Sequence, residues 1–192
     1  MSLLILGLVL FLGVHSLRIF AEGWRNAQVA RLGEQRWKGI YSLASLAGFV
    51  LLVWGFGEAR AAGPALYAPP AWARHTAALF TLPAFVLLAA AYVPGTRIKA
   101  AVGHPMVAGT VLWSLGHLLA NGRLADLLLF GAFGLWAALS FLAARGRDRA
   151  AGRSDRPGPV GRDVLAVIAG AGAWGFFAFL AHGWLFGVRP FG

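Results

Sequence analysis

The sequence predicts an all-α integral membrane bundle of about six transmembrane helices, in a single domain over residues 1–192. Three observations support this fold class. Hydrophobic residues make up 59% of the chain and charged residues only 12%, about half the charge of a typical soluble domain. Six long apolar segments follow one another, and the basic residues are concentrated in alternate connections between them. Because so much apolar surface needs lipid, we expect no separate soluble domain.

The six apolar segments are each close to the length of about 20 residues that a helix needs to cross a bilayer. They cover residues 3–21, 39–57, 75–93, 105–120, 124–144 and 164–188. The fourth segment is short and opens on Pro105, a residue that suits the first turn of a helix. No basic stretch precedes the first segment, so we expect a retained helix there and no cleaved signal peptide.

The positive residues predict the orientation of the bundle. Thirteen of the 17 Lys and Arg residues lie near one side, and the longest basic connection, residues 145–163, belongs to it. The positive-inside rule makes this side cytoplasmic and puts both termini on the non-cytoplasmic side. We interpret residues 145–163 as a disordered cytoplasmic loop that sets topology, with a patch for anionic lipid as the alternative. Charge sorted in this way indicates membrane lipid as a partner and no nucleic acid.

The chain has five histidines and no cysteine. The missing cysteine excludes disulfides, thiolate ligands and a cysteine nucleophile. Ionisable side chains at membrane depth are costly and tend to be functional. Imidazole is also a common ligand of haem iron and of other metals.

His104 directly precedes the fourth segment, and His117 belongs to it. They are thirteen residues apart, about 20 Å along one helix, so they cannot bind one iron together. His104 precedes Pro105, where it would cap the helix or lie at the interface. His117 lies inside the segment, with Trp113 and Ser114 near its face. We favour a ligand or catalytic role for His117 over an interhelical hydrogen bond.

The other histidines lie in the first, third and sixth segments. His15 is inside the first, where Arg18 would pair with an acidic group of a cofactor or extend to the headgroups. His182 is a reserve ligand, and His75 is expected to be solvated. The orientation places His15 toward the cytoplasmic end of its helix and His117 toward the outer end, a mismatch in depth for two ligands of one iron.

Five stretches carry a resemblance to a known family: GVHSLR, RLGEQRWKGIYSLASLAG, PPAWARH, LPAFVLLAAAYVPGTRIK and GHPMVAGTVLWSLGHLLANG. They resemble, in the same order, the NnrU family of bacterial membrane proteins, which is associated with denitrification and nitric oxide metabolism. That family is similar to the 15-cis-ζ-carotene isomerase of plants and cyanobacteria, a membrane enzyme that uses haem b. The resemblance implies the bacterial inner membrane, haem b as cofactor, and His15 and His117 as axial ligands. His104 is the reserve position in the matching His-Pro motif.

One position departs from the isomerase pattern. The isomerase has a cysteine three residues before its second ligand, and this chain has Ser114 there. We therefore expect a haem b-binding protein whose site includes Arg18, Trp113 and Ser114 beside the ligands. The first alternative is a haem-dependent cis-trans isomerase of a polyene. The second is a non-haem accessory or assembly factor that binds other membrane proteins.

Overall fold

The computed structural model describes residues 1–191, and their regular structure is helical. The predicted all-α fold is therefore confirmed. The helices are α1 (Ser2–Phe20), α2 (Glu22–Leu32), α3 (Glu34–Ala62), α4 (Ala73–Tyr92), α5 (Arg97–Val102), α6 (Pro105–Ala120), α7 (Leu124–Ala150), α8 (Val160–Phe176) and α9 (His182–Phe186). A π-helical segment, Phe177–Ala181, joins α8 to α9 in one continuous rod.

Five helical stretches are long and apolar enough to cross a membrane: α1, α3, α4, α7 and the rod Val160–Phe186. The sixth apolar helix, α6, has only 16 residues and is about 24 Å long, against about 30 Å for a hydrocarbon core. The chain is a multi-pass membrane protein with the predicted number of apolar helices.

Several helix boundaries differ from the prediction. The second apolar helix, α3, is longer at both ends than residues 39–57. The fifth, α7, continues to Ala150, and the last rod begins at Val160. The prediction of a disordered loop over residues 145–163 was therefore wrong for most of its length. Arginine is a good helix former, and cations are favourable at a helix C-terminus, which explains why α7 extends into the basic stretch.

The connection that remains between α7 and α8 is attached to the neighbouring turn. The Gly158 N–H donates to the Gly95 carbonyl at 3.1 Å, and Arg97 Nε donates to the Gly158 carbonyl at 3.1 Å. Two short helices, α2 and α5, were not predicted because neither contains a long apolar run. In α5, the Thr96 hydroxyl caps the N-terminus by accepting from the Lys99 N–H at 3.0 Å.

The helices form two close pairs, α1 with α3 and α4 with α6. The rod that begins with α8 packs against α4. Helix α7 contacts α1, α3 and α6 and so joins the two pairs. The main buried cluster lies where α1, α3 and α7 meet, around Leu4, Leu8, Leu52, Leu129 and Phe130.

Glycines allow the close approach within both pairs. In the first pair, a Cβ added at Gly48 would come within 2.7 Å of the Phe11 backbone nitrogen. In the second, a Cβ at Gly109 would lie 2.8 Å from the Ala84 carbonyl oxygen, and one at Gly116 would lie 3.1 Å from the Ala77 carbonyl oxygen. Because lipid provides no hydrophobic drive for helices to associate, this backbone contact is a main source of packing energy.

A pair of glycine substitutions in α3 tests this role. We expect Gly48→Ala to lower the free energy of unfolding by about 1–3 kcal/mol, because the added methyl group meets the backbone of α1. Gly57→Ala is the matched control, since a Cβ there has no neighbour within 4 Å and alanine favours the helix. Thermal unfolding of the two purified variants in one detergent is the measurement. Equal midpoints would contradict the glycine-contact account.

Candidate functional site

His15 lies in the cytoplasmic half of α1, by the predicted orientation, and bonds to its own helix. Its Nδ1 is 2.6 Å from the Phe11 carbonyl oxygen, one turn earlier. A carbonyl only accepts, so Nδ1 carries the proton and Nε2 keeps its lone pair. The imidazole packs against the rings of Phe11, Tyr41 and Trp136, with centroid distances of 4.3, 5.3 and 6.0 Å. His15 is thus a half-buried imidazole with a nitrogen free to bind.

His117 repeats this arrangement in α6. Its Nδ1 donates to the Trp113 carbonyl at 2.9 Å, which again leaves the lone pair on Nε2. The ring packs against Phe130 of α7 and against the Trp113 indole, at 4.6 and 4.9 Å. The structure therefore confirms that Trp113 and His117 lie on one face.

An aromatic face of α7 connects the two histidines. Trp136 contacts His15, Phe130 contacts His117, and Phe133 lies between them, 5.9 Å from Phe11 and 6.0 Å from Trp113. Six residues of helix separate Phe130 from Trp136, which is about 9 Å. The contacts of His15 and His117 on α7 are therefore offset along that helix, in the direction that the sequence predicts for their depths. Within residues 1–191, a series of ring contacts through Phe11, Phe133 and Trp113 connects the two imidazoles.

Arg18 and His15 line the same cavity. The cavity has a volume of about 430 Å³ and lies between α1, α2 and α3, within the range of about 300–1,000 Å³ for small-molecule sites. Arg25 and Lys38 also line it. His117 and Trp113 do not, so the structure brings together two subsets of the predicted site and not the whole.

Ser114 is buried in the contact between α6 and α7. It is 1% exposed, and its Cβ is 3.1 Å from the position of a Cβ on Gly134. Its hydroxyl has no hydrogen-bond partner within residues 1–191, and neither does the Trp136 indole nitrogen beside His15. Within residues 1–191, four buried side-chain polar atoms lack a hydrogen-bond partner, namely Ser45 Oγ, Ser114 Oγ, Asp126 Oδ1 and Trp136 Nε1. Such atoms are unusual in folded proteins.

His104 is the N-cap residue of α6, as predicted, but its side chain does not cap the helix. Its Nε2 lies 2.7 Å from an oxygen of Asp148 in α7. The expected capping role was wrong because α7 continues past the predicted end of its segment and brings this carboxylate to the start of α6. His104 is thus a hydrogen-bond partner of Asp148 at the basic side of the bundle.

The remaining two histidines, His182 and His75, both lie near the last residues of the chain. His182 Nδ1 donates to the Val188 carbonyl at 2.7 Å, and its ring packs on Phe177 and Phe186. His75 is exposed, as expected, with its ring 6.3 Å from that of Phe191. No group of three His, Asp or Glu side chains within residues 1–191 is arranged to hold a metal ion.

A polar cluster near His117 was missed by the sequence reasoning. Asp126, near the start of α7, is 1% exposed and accepts from the Arg123 N–H at 3.1 Å. Arg60 Nε, from the end of α3, lies 3.4 Å from Asp126 Oδ1 in an ion pair without a hydrogen bond. Arg60 also donates to the Asn121 side chain at 3.2 Å. The sequence contained a signal for this cluster, because Asp126 is the one acidic residue inside the six predicted apolar segments.

This cluster ties the end of α6 to its neighbours. The Asn121 amide donates to the His117 carbonyl at 2.9 Å, and the Tyr67 hydroxyl donates to the Asn121 carbonyl at 2.8 Å. Arg123 donates to the carbonyls of Arg60 and Gly63 at 2.9 and 3.0 Å. The last turn of α6, which carries His117, is therefore held by side chains from α3, α7 and the loop before α4.

Removing the buried carboxylate tests the cluster. We expect Asp126→Ala to destabilise the protein by about 1.5–3 kcal/mol, the usual range for hydrogen bonds to charged groups, because Arg60 and the Arg123 N–H lose their partner. Glu58→Ala is the control, since Glu58 is exposed at the same end and, within residues 1–191, its side chain bonds to Trp54 alone. Urea or thermal unfolding in detergent measures both variants. A Glu58→Ala loss as large as that of Asp126→Ala would argue against a specific role for the cluster.

Comparison with known proteins identifies one family. The model of the family described as "NnrU: NnrU protein" matches residues 3–190, nearly the whole chain. No curated protein matches the chain. No solved structure matches it either.

Proposed function

The chain belongs to the NnrU family, and from that premise we propose that it is a haem b-binding protein of the bacterial inner membrane. His15 and His117 are the proposed axial ligands, and the proposed role lies in denitrification or nitric oxide metabolism. The family match supports the membrane setting. The haem assignment rests on the histidines and their surroundings.

The observation that carries the proposal is the shared state of His15 and His117. Each imidazole donates its Nδ1–H to the carbonyl four residues earlier, at 2.6 and 2.9 Å. Histidines that bind metals almost always donate their second N–H to an acceptor, which fixes the tautomer and the ring orientation. Both Nε2 atoms are thus prepared as ligands before any metal arrives.

The surroundings also fit haem. The rings of Phe133 and Trp113 give the macrocycle an apolar, aromatic environment. Two of the four buried polar atoms without partners, on Ser114 and Trp136, suit a site that holds a further group. Arg18, on the cavity beside His15, suits a propionate carboxylate. When bound, haem supplies an iron centre for electron transfer or for binding a small ligand such as nitric oxide.

The chain's own part is to hold the imidazoles, exclude water and neutralise carboxylates. One adjustment is required if both histidines bind the same iron. The Phe133 and Trp113 rings, which belong to the series of contacts that connects the two imidazoles, would have to shift to admit a macrocycle. Helices α1 and α6 make no close backbone contact within residues 1–191.

The isomerase alternative has less support from the site. Ser114 stands where the isomerase has a cysteine, and its side chain is buried against Gly134. A serine hydroxyl is also a weak ligand of iron. The accessory-factor alternative predicts a stable complex with another membrane protein and no cofactor.

Four histidine variants separate these possibilities. We expect the purified protein, expressed with an adequate haem supply, to show a Soret band. His117→Ala abolishes haem retention, and His15→Ala shifts or abolishes the band, because each removes an axial imidazole. His104→Ala and His75→Ala are the controls, since one histidine pairs with Asp148 and the other is exposed. Absorption spectra and size-exclusion profiles of all five proteins are the measurements.

Two outcomes would overturn this proposal. A wild-type protein without a Soret band under these conditions excludes resident haem and favours the accessory factor. If His104→Ala bleaches the band while His117→Ala spares it, the cofactor lies at the basic side and His117 is not a ligand.

A further inference from the structure

A cationic cavity and an apolar groove meet on α1. The cavity is the one beside His15, between α1, α2 and α3. The groove, about 390 Å³, is an open depression on the surface of α1, and side chains of that helix line it: Leu6, Val9, Leu10, Gly13, Val14 and Leu17. Val14 and Leu17 line both spaces, so the cavity and the groove are adjacent. Together they offer a charged end and an apolar surface.

The cavity carries uncompensated positive charge. Of its four charged residues, Lys38 and Glu34 neutralise each other at 2.7 Å. Arg18 is 3.4 Å from Glu22, a carboxylate that also has Arg147 at 3.8 Å.

Arg25 carries the clearest uncompensated positive charge in the cavity. It is half-buried, and it donates to the Asn26 side-chain oxygen at 2.9 Å. No carboxylate pairs with it within residues 1–191. A half-buried guanidinium without an acidic partner is well suited to a phosphate, which it can bind through two N–H groups.

The groove has the length of one lipid leaflet. From Leu6 to Leu17 the helix rises about 16 Å, and half of a hydrocarbon core is about 15 Å. The basic residues around the cavity mark the interface at one end of this length. A chain lying in the groove would therefore run from the headgroup level to about the middle of the membrane.

The groove and the candidate haem ligand lie on different sides of α1. At 100° per residue, the groove positions Leu6, Val9 and Gly13 face roughly opposite to His15. Gly13 contributes the open middle of the groove, because a Cβ there has no neighbour within 4 Å. An occupant of the groove does not compete with the aromatic face of α7.

We propose that this site binds an anionic phospholipid, with its phosphodiester in the cavity at Arg25 and one acyl chain in the groove. The charge selects a headgroup with net negative charge over a zwitterionic one. The inference goes beyond the proposed function and does not require haem.

Two substitutions test the two ends of the site. Arg25→Gln removes the headgroup contact, and Gly13→Leu fills the groove without meeting protein atoms. Arg31→Gln is the charge control, since Arg31 is exposed on the same helix outside the cavity. Gly57→Leu is the control for an added apolar side chain on an open helix surface. The full chain is purified in mild detergent after reconstitution with equal amounts of phosphatidylglycerol and phosphatidylcholine, and retained lipid is counted by native mass spectrometry.

We expect the wild type and both controls to retain phosphatidylglycerol over phosphatidylcholine, and each test variant to retain about fivefold less of it. Equal retention of the two lipids, or equal losses in tests and controls, would overturn the proposal. Full displacement of phosphatidylglycerol by inorganic phosphate would also overturn it, because the groove would then contribute nothing. Absorption spectra of the same samples keep the haem question separate: a missing Soret band with retained lipid refutes only the haem proposal.

Discussion

Close backbone contact at glycines is the constraint on which this bundle depends. Lipid surrounds the helices with an environment as apolar as their own side chains, so burial alone does not drive them together. Gly48 allows α3 to approach α1, and Gly109 and Gly116, two turns apart, allow α6 to approach α4. These contacts set the rotation of each helix about its own axis. That rotation turns the faces of α1 and α6 that carry His15 and His117 toward α7.

Helix α7 converts two helix pairs into one structure. Its aromatic face contacts α1 through Phe133 and Trp136 and α6 through Phe130. Polar contacts attach it at both ends, through Asp126 and Arg60 at one and through Asp148 and His104 at the other. Charged groups inside a membrane protein are costly unless they are paired, and here pairing places them where they hold helices in register. The candidate ligands are thus supported by an element that carries neither of them.

The two chemically distinctive regions of the molecule have different physical character. The aromatic face between His15 and His117 is apolar, and the imidazoles there are prepared by bonds to their own backbone. The cavity at the basic end is cationic, and Arg25 in it has no acidic partner in the described part of the chain. The proposed haem belongs to the first region and the proposed anionic headgroup to the second. Arg18 and His15 lie at the boundary between them.

The sequence by itself determined the all-α membrane fold, the number of apolar helices and the facing of Trp113 with His117. These follow from hydropathy and helical periodicity, which are local properties of the chain. Only the tertiary structure decided that α7 extends far enough to bring Asp148 to His104 and that Asp126 is buried beside Arg60. It also decided that Phe133 links the ring contacts of the two candidate ligands. Those relations join residues far apart in the chain, and they depend on helix rotations that glycine contacts set and hydropathy does not record. Sequence reasoning therefore found the imidazoles, while helix packing decided which rings connect them.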